Sequence, residues 1–383
     1  MILRALRLEN FRNHAESVIT FVDGCNVLTG NNGEGKTNIL EAISFGALTK
    51  SFYASHDSDA IRTESGGFTL QAQHLAENGV QYNVVLTYSQ PEGIKRILLN
   101  KAAVHPLSSL VGLVPVVILS PENNGITFGG PAERRRFLDV LLSQASKSYL
   151  ADISEYRQVV RQRNKILLDA RIAKSNPTAL LEPWNEQLCK YGARIVVRRA
   201  EAVNELQPIV TRSYEMIAGK DESPTLNYKT SVECSEKLDV HRTAENLSKK
   251  LELLRIDERR LGSTLVGPHR DDVDFHVNSL QLRGFASQGE HKTFLVALKL
   301  AEFDFLKEQT RETPLLLLDD VFSELDEARS HNLVNVIQEA GQSFITATDA
   351  RSLPDGFLEQ TQNAHFGVKQ GTVARAPQAE HTR

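Results

Sequence analysis

Residues 30–37 read Gly30-Asn31-Asn32-Gly33-Glu34-Gly35-Lys36-Thr37, a complete G-x-x-x-x-G-K-[ST] loop. Each residue type in it meets a chemical need. The glycines let the backbone curl so that successive N–H groups converge on phosphate oxygens. Lys36 adds a positive charge for the β- and γ-phosphates, and the Thr37 hydroxyl is a ligand for Mg²⁺. The apolar run Cys25-Asn26-Val27-Leu28-Thr29 reads as the strand that feeds the loop. Asn38-Ile39-Leu40-Glu41-Ala42-Ile43 reads as the helix that leaves it, with the positive end of its dipole aimed at the anion. Gly30 through Asn38, including Asn31, Asn32, Gly33, Glu34 and Gly35, are therefore the candidate cradle for a nucleoside triphosphate. A glycine-rich turn with a surface lysine would match the pattern without this strand-loop-helix setting.

Near the other end of the chain, Pro314-Leu315-Leu316-Leu317-Leu318-Asp319-Asp320 is an apolar run that ends in two carboxylates. Four leucines in succession predict a strand buried on both faces, as in a parallel sheet. Carboxylates at its C-terminal end stand where open α/β sheets place their ligands. Asp319 is the natural partner of Mg²⁺, directly or through water, and Asp320 is placed to orient or deprotonate the attacking water. Lys36, Asp319 and Asp320 are the candidate catalytic residues, and Thr37 with Asp319 the candidate metal ligands.

The composition, with 41% hydrophobic and 24% charged residues, is that of a soluble globular protein and gives ample core for two or three units. No run approaches the roughly 18 apolar residues of a membrane span, and the first residues lack a signal-peptide pattern. Cys25, Cys189 and Cys234 are far apart, which argues against a disulfide framework or a zinc site and fits a cytoplasmic protein. The net charge of −4 conceals an asymmetry. Residues 126–261 hold 24 Lys+Arg against 19 Asp+Glu, net +5, while the remainder holds 20 against 29, net −9. A local basic face matters more for nucleic-acid binding than the whole-chain charge.

Residues 1–120 read as strand-rich, with short β-branched or alternating runs around residues 4–8, 18–21, 68–72, 82–88, 95–100 and 114–119. From Pro131 to about Leu261 the pattern is helical, with long amphipathic runs at 152–170, 181–206 and 246–261. Strand and loop signals return at 273–277 and 280–283, followed by a helix over 290–308 and a core strand at 343–348. Residues 375–383 read as a frayed tail. The phosphate loop and the carboxylate strand thus belong to one sheet split by a helical insertion.

Phe285-Ala286-Ser287-Gln288-Gly289-Glu290 and Ser323-Glu324-Leu325-Asp326 resemble the signature motif and D-loop of ABC-type ATPases, in that family's order. The likeness narrows with Pro131 through Arg135-Arg136-Phe137-Leu138-Asp139, Tyr156 through Gln162-Arg163-Asn164, Gly267-Pro268-His269-Arg270-Asp271-Asp272, and Leu318 through Asp326. Together these resemble the RecF family of bacterial DNA replication and repair proteins, over essentially the whole chain. The resemblance implies an α/β fold, an ABC-type ATPase head interrupted by a mainly helical second lobe. The head combines a mixed sheet and flanking helices with an antiparallel β subdomain. The head halves would be residues 1–125 and 262–383, and the basic lobe 126–261. It implies ATP and Mg²⁺ as cofactors and an ATP-driven head-to-tail homodimer in which Ser287, Gln288 and Gly289 of one subunit cap the γ-phosphate held by the other. It implies DNA, RecO and RecR as partners, and RecA as the protein loaded at single-strand gaps. Departures are visible. The signature reads S-Q-G-E rather than S-G-G-Q, and Asp320 stands where many ABC ATPases have a longer Glu, which implies slow turnover. No histidine follows Thr346-Ala347-Thr348 in the switch position, leaving Thr348 or Asp349 for that role. The glutamine-loop position falls, by order along the chain, around Ser120-Pro121-Glu122-Asn123.

Arg134-Arg135-Arg136 read as DNA-phosphate contacts, as nucleotide contacts across a dimer, or as a salt-bridged helix start. Arg157, Arg161 and Lys165 recur at i, i+4, i+8, and Arg194 and Arg198 repeat the spacing, so each set makes a basic stripe that would track a DNA backbone or simply be solvated. His269 beside Asp271 and Asp272 offers too few ligands for a metal site and reads as a loop near nucleotide or DNA. A transporter-type ATPase subunit is the main alternative function. An SMC-like structural ATPase would need a far longer coiled coil, and a nuclease a further carboxylate cluster.

Overall fold

The computed structural model describes residues 1–52, 56–219, 222–232, 239–354, 357 and 363–376. Cys234, Lys220, Asp221 and tail residues 377–383 lie outside them. The chain forms two compact units, one of Met1–Asn124, Arg212–Glu222 and Ser287–Arg383, the other of Gly125–Thr211 and Ser223–Ala286.

The first unit holds two six-stranded sheets. One is antiparallel, in the order β2-β1-β4-β5-β6-β7. Its strands are β1 (Ile2–Phe11), β2 (His14–Thr20), β4 (Gly67–Leu75), β5 (Gln81–Ser89), β6 (Ile94–Leu99) and the short β7 (Ala102–Ala103). The other runs β15-β14-β3-β13-β12-β8. It comprises β3 (Cys25–Thr29), β8 (Val116–Leu119), β12 (Leu315–Asp319), β13 (Ser343–Ala347), β14 (Ala364–Lys369) and β15 (Thr372–Arg375). All its neighbours pair in parallel except β14 with β15. The leucine run lies between β13 and the edge strand β8 and is fully buried, as its lack of alternation requires. Helix α1 (Lys36–Leu48) touches strands of both sheets and is buried nearly all round, with Ile39, Leu40, Ile43 and Phe45 inaccessible. Edge-on aromatic contacts of Phe11 with Phe45 and Phe68, and of Phe21 with Phe344 and Phe366, fill the layer between. Helices α8 (Gln288–Thr310) and α9 (Glu327–Glu339) complete this unit.

The second unit is mainly helical. It contains the end of α2 (Asn124–Phe128), α3 (Pro131–Ala145), α4 (Lys147–Ala173), most of the 41-residue α5 (Thr178–Ala218) and α6 (Val240–Leu261). On α4 the buried residues Tyr149, Ile153, Tyr156, Val159, Arg163, Leu167 and Ala170 recur every three or four positions, one helical face. Asp239 caps the start of α6 by accepting the His241 N–H, and Gly262 ends it at φ 72°. A small sheet joins β9 (Pro224–Lys229), β10 (Asp272–Val277) and β11 (Leu280–Gln281), and a single irregular turn, α7 (Leu282–Phe285), follows. On the sequence the boundary falls at residue 261, but residues 262–286 pack in this second unit. The reason is β-pairing: Phe275 of β10 faces Leu226 of β9, and Val273, Phe275 and Val277 are buried. The strand expected over 280–283 stops at Gln281.

Candidate functional site

Strand β3 delivers the chain to the loop at the C-terminal edge of the mixed sheet. Gly30, at φ 155°, runs so close to β14 that a Cβ would lie 2.2 Å from the Val368 carbonyl oxygen. Gly35 takes φ 111°, a left-handed backbone that favours glycine, and turns directly into α1. Helix α1 has no side-chain cap and no acidic residue in its first turn. Its leading N–H groups are left for an anion.

Lys36 is buried, and its Nζ donates to the carbonyls of Gly30 at 2.6 Å and Asn31 at 3.0 Å. Burial lowers its pKa, against the pull of Asp320, Asp319 and Glu34. The Thr37 hydroxyl donates to the Asp319 carboxylate, 2.9 and 3.1 Å from its two oxygens. Two residues 282 positions apart are thus joined because β12 and α1 meet at the same sheet edge. Burial raises the pKa of Asp319, opposed mainly by hydrogen bonds from Thr346 and Thr37. Thr346 donates to Asp319 at 2.6 Å and accepts the Asp320 N–H at 3.0 Å, so one hydroxyl aligns both carboxylate residues. Sequence reasoning saw in Thr346 only a strand residue; the in-register pairing of Asp319 with Thr346 gives it the role. Asp320 itself sits at φ 52°, a left-handed position that Asp tolerates better than most residues.

Ser120, Pro121, Asn124 and Lys292 line a cavity of about 20 Å³ with Asp319, the space of one water. The Ser120 hydroxyl is buried there without a hydrogen-bond partner among the described residues. An unpartnered buried hydroxyl, two aligned carboxylates, a threonine hydroxyl and a buried lysine fit a hydrated magnesium ion bound with phosphates.

Ser287 caps α8 in a reciprocal box with Glu290: its oxygen accepts the Glu290 N–H at 3.2 Å, and Glu290 accepts the Ser287 N–H at 2.7 Å. Ser287 and Gln288 are exposed and Gly289 half-buried. No hydrogen bond or ion pair joins residues 287–289 to residues 30–38 among the described residues. In the switch region Thr348 is exposed and the Asp349 carboxylate is tied to Arg351 at 2.6 Å.

The candidate DNA residues divide sharply. Arg134 is buried, with its fork on both Asp272 oxygens at 2.8 and 2.9 Å and a third bond to Gly129. It is a structural arginine, not a surface contact. Arg135 is half-buried and donates to the Asp271 carbonyl at 2.7 Å. Arg157 pairs with Asp139, Arg194 with Asp152, and Arg198 with Glu201 and Glu205. Arg161 and Lys165 are exposed on α4 and without a partner among the described residues. Two arginines that spacing did not single out, Arg163 and Arg199, are the largest fully buried side chains. Arg163 binds Glu258, Thr264 and Asn185, and Arg199 binds Asp139, Tyr149 and the Pro268 carbonyl. Both nitrogens of His269 are engaged, Nδ1 with the Tyr156 hydroxyl at 2.6 Å and Nε2 with the Thr264 carbonyl at 3.1 Å, which leaves neither for a metal. Burial holds its pKa down to about 4. Among the described residues no helix is long and apolar enough to cross a membrane.

Phosphate loop, uncapped helix and buried acidic strand end, on a mixed sheet backed by an antiparallel one, define an ATPase head of the ABC and SMC class. The RecF/RecN/SMC N-terminal domain family matches residues 2–370. The DNA replication and repair protein RecF of Chloroherpeton thalassium is 41% identical over 374 residues, 97% of this chain and 100% of that protein. That of Salinibacter ruber is 37% identical over 390 residues, 100% of this chain and 94% of that protein. A solved structure of the recombination mediator protein RecF-ATPrS in the RecFOR pathway matches with a TM-score of 0.90 at 30% identity, covering 98% of each chain. A Pyrococcus furiosus Smc head domain matches at 0.55 and 14% identity, over 98% of this chain and 95% of that one, a likeness of fold alone. The chain belongs to the RecF family of DNA replication and repair proteins.

Proposed function

We propose that this chain is an ATP-operated clamp on DNA. The observation that carries the reading is the Thr37–Asp319 contact at 2.9 Å beside the uncapped start of α1 and the buried Lys36. Bound ATP with Mg²⁺ would supply the charge that two subunits share and the bond whose cleavage separates them. Lys36 would swing from the Gly30 and Asn31 carbonyls to the β- and γ-phosphates, and Thr37 and Asp319 would hold the metal. Asp320 would orient the attacking water; its short side chain suits slow, DNA-stimulated turnover. Ser287, Gln288 and Gly289 would cap the γ-phosphate held by a second copy. Arg161 and Lys165, together with Arg157 and Arg194, would meet duplex or junction DNA through its phosphates. RecR and RecO, and RecA through them, are the expected partners, in the cytoplasm. A transporter subunit has no support from the relatives named above.

The test is sedimentation with and without ATP and Mg²⁺, in parallel with labelled duplex DNA. Dimerisation that requires ATP, tightens DNA binding and is lost in Lys36→Ala is the expected result. A chain indifferent to ATP in both association and DNA affinity would overturn the proposal.

A further inference from the structure

The phosphate loop of this chain lies between two hairpin turns. On one side is the β14–β15 turn, Gln370-Gly371. Its Gly371 N–H donates to the Glu34 carbonyl at 2.9 Å, and its Gln370 N–H donates to the Glu34 carboxylate. On the other side is the β1–β2 turn. His14 Nε2 lies 3.2 Å from the Gly35 carbonyl oxygen, and the Asn13 amide donates to the Gly33 carbonyl at 3.4 Å.

The two turns are also bound to each other. His14 Nδ1 meets Ser17 Oγ at 2.9 Å, and Ser17 Oγ donates to the Gly371 carbonyl at 2.9 Å. A Cβ on Gly371 would lie 2.3 Å from the Asn13 carbonyl oxygen. His14 and Ser17 are buried, so water does not substitute for these bonds.

The proton count makes this link directional. Burial lowers the pKa of His14 and keeps the ring neutral. One ring proton and one hydroxyl proton then serve three contacts. Any two of the three can be served at once: Nε2–H holds Gly35 while Ser17 donates to Nδ1 or to Gly371, or Nδ1–H holds Ser17 while Ser17 holds Gly371. The grip on the loop and the grip on the hairpin turn therefore draw on one side-chain pair.

We propose that the β14–β15 turn, with His14 and Ser17, is a brace that holds the phosphate loop at Glu34 and Gly35, and that these are positioning residues which set nucleotide affinity. The inference rests on reading Gly30–Asn38 as a nucleotide site.

The decisive pair of variants is Gly371→Ala and Gly79→Ala. Both glycines lie in turns of the first unit at similar backbone angles, φ 75° and φ 82°. A Cβ on Gly79 meets nothing within 4 Å, so it reproduces the backbone strain without touching the brace. The measurements are binding of N-methylanthraniloyl-ATP with Mg²⁺, well below the melting temperature, and the melting temperature itself. Gly371→Ala should raise Kd about tenfold or more, while Gly79→Ala leaves it at the wild-type value. Ser17→Ala and Glu34→Ala should each raise Kd by about threefold or more at little cost in melting temperature, and these decide the matter if Gly371→Ala does not fold. Wild-type affinity in the brace variants, with Lys36→Ala binding about a hundredfold more weakly, would overturn the brace alone. Wild-type protein binding no better than Lys36→Ala would overturn the nucleotide site beneath it.

Discussion

Lys36 in the first unit and three buried arginines in the second are held in opposite ways. In the first, Lys36 is buried with only carbonyl oxygens as bonded partners, while three carboxylates stand near enough to act on it without taking its protons. In the second, Arg134, Arg163 and Arg199 are buried with their donors spread over carboxylates, hydroxyls and carbonyls. A guanidinium fork held by a carboxylate is fixed by geometry, whereas an ammonium on a flexible stem exchanges partners readily. Saturation therefore separates arginines that hold the helices together from the lysine that, on the proposed function, would exchange carbonyls for phosphates.

The largest effect that tests this contrast belongs to Arg199. Arg199→Met should destabilise the protein by about 3–5 kcal/mol in denaturant titration, because it strips Asp139 and Tyr149 of a buried partner. Nucleotide affinity should not change. Weaker nucleotide binding at full stability would dissolve the distinction. Next comes Lys36→Ala, expected to weaken nucleotide binding by about a hundredfold, near 3 kcal/mol, with the denaturation midpoint held. A large loss of stability would mean that Lys36 is scaffolding too.

Acid probes both units at once. Burial keeps His74 in the first and His269 in the second at a pKa of about 4, against 6.5 when free. Below pH 6.5 the unfolded chain takes up protons that the folded chain refuses, so stability falls as pH drops from about 6.5 to about 4. Each histidine accounts for up to about 3 kcal/mol. His74→Leu and His269→Leu should each flatten that slope when denaturation midpoints are compared across the range, and a parallel, unchanged slope would exclude the assigned histidine. The smallest effect should come from Arg161→Ala and Lys165→Ala. Each is expected to leave stability within about 0.5 kcal/mol and to lower the salt dependence of DNA binding by about one unit of slope. Unaltered binding would place the DNA surface elsewhere.

Much of this was legible along the chain. The glycines, lysine and threonine of residues 30–37 and the leucine run into Asp319-Asp320 could be read as one site, because phosphate chemistry and a doubly buried strand each impose a local pattern. Charge and spacing left open what burial decides. Arg134 and Arg161 are both arginines on helices of the basic segment, yet one is locked on Asp272 and the other is free to solvent. Nothing near Arg134 in sequence announces Asp272, which lies 138 residues away. The Gly-Pro-His-Arg segment was likewise visible as a motif, but its packing with Tyr156 and Thr264 was not.

The sequence by itself determined the class of protein and the candidate site, Gly30–Asn38 with carboxylates from Asp319 and Asp320, since residue type and spacing suffice where the backbone would do the recognising. Only the tertiary structure decided which charges are free, that Thr346 aligns both carboxylates, that residues 262–286 join the second unit, and that the phosphate loop is held between Asn13-His14 and Gln370-Gly371. Those outcomes depend on contacts between residues as far apart as 336 and 354 positions, and pairing across such distances is set by sheet register and burial rather than by any local pattern.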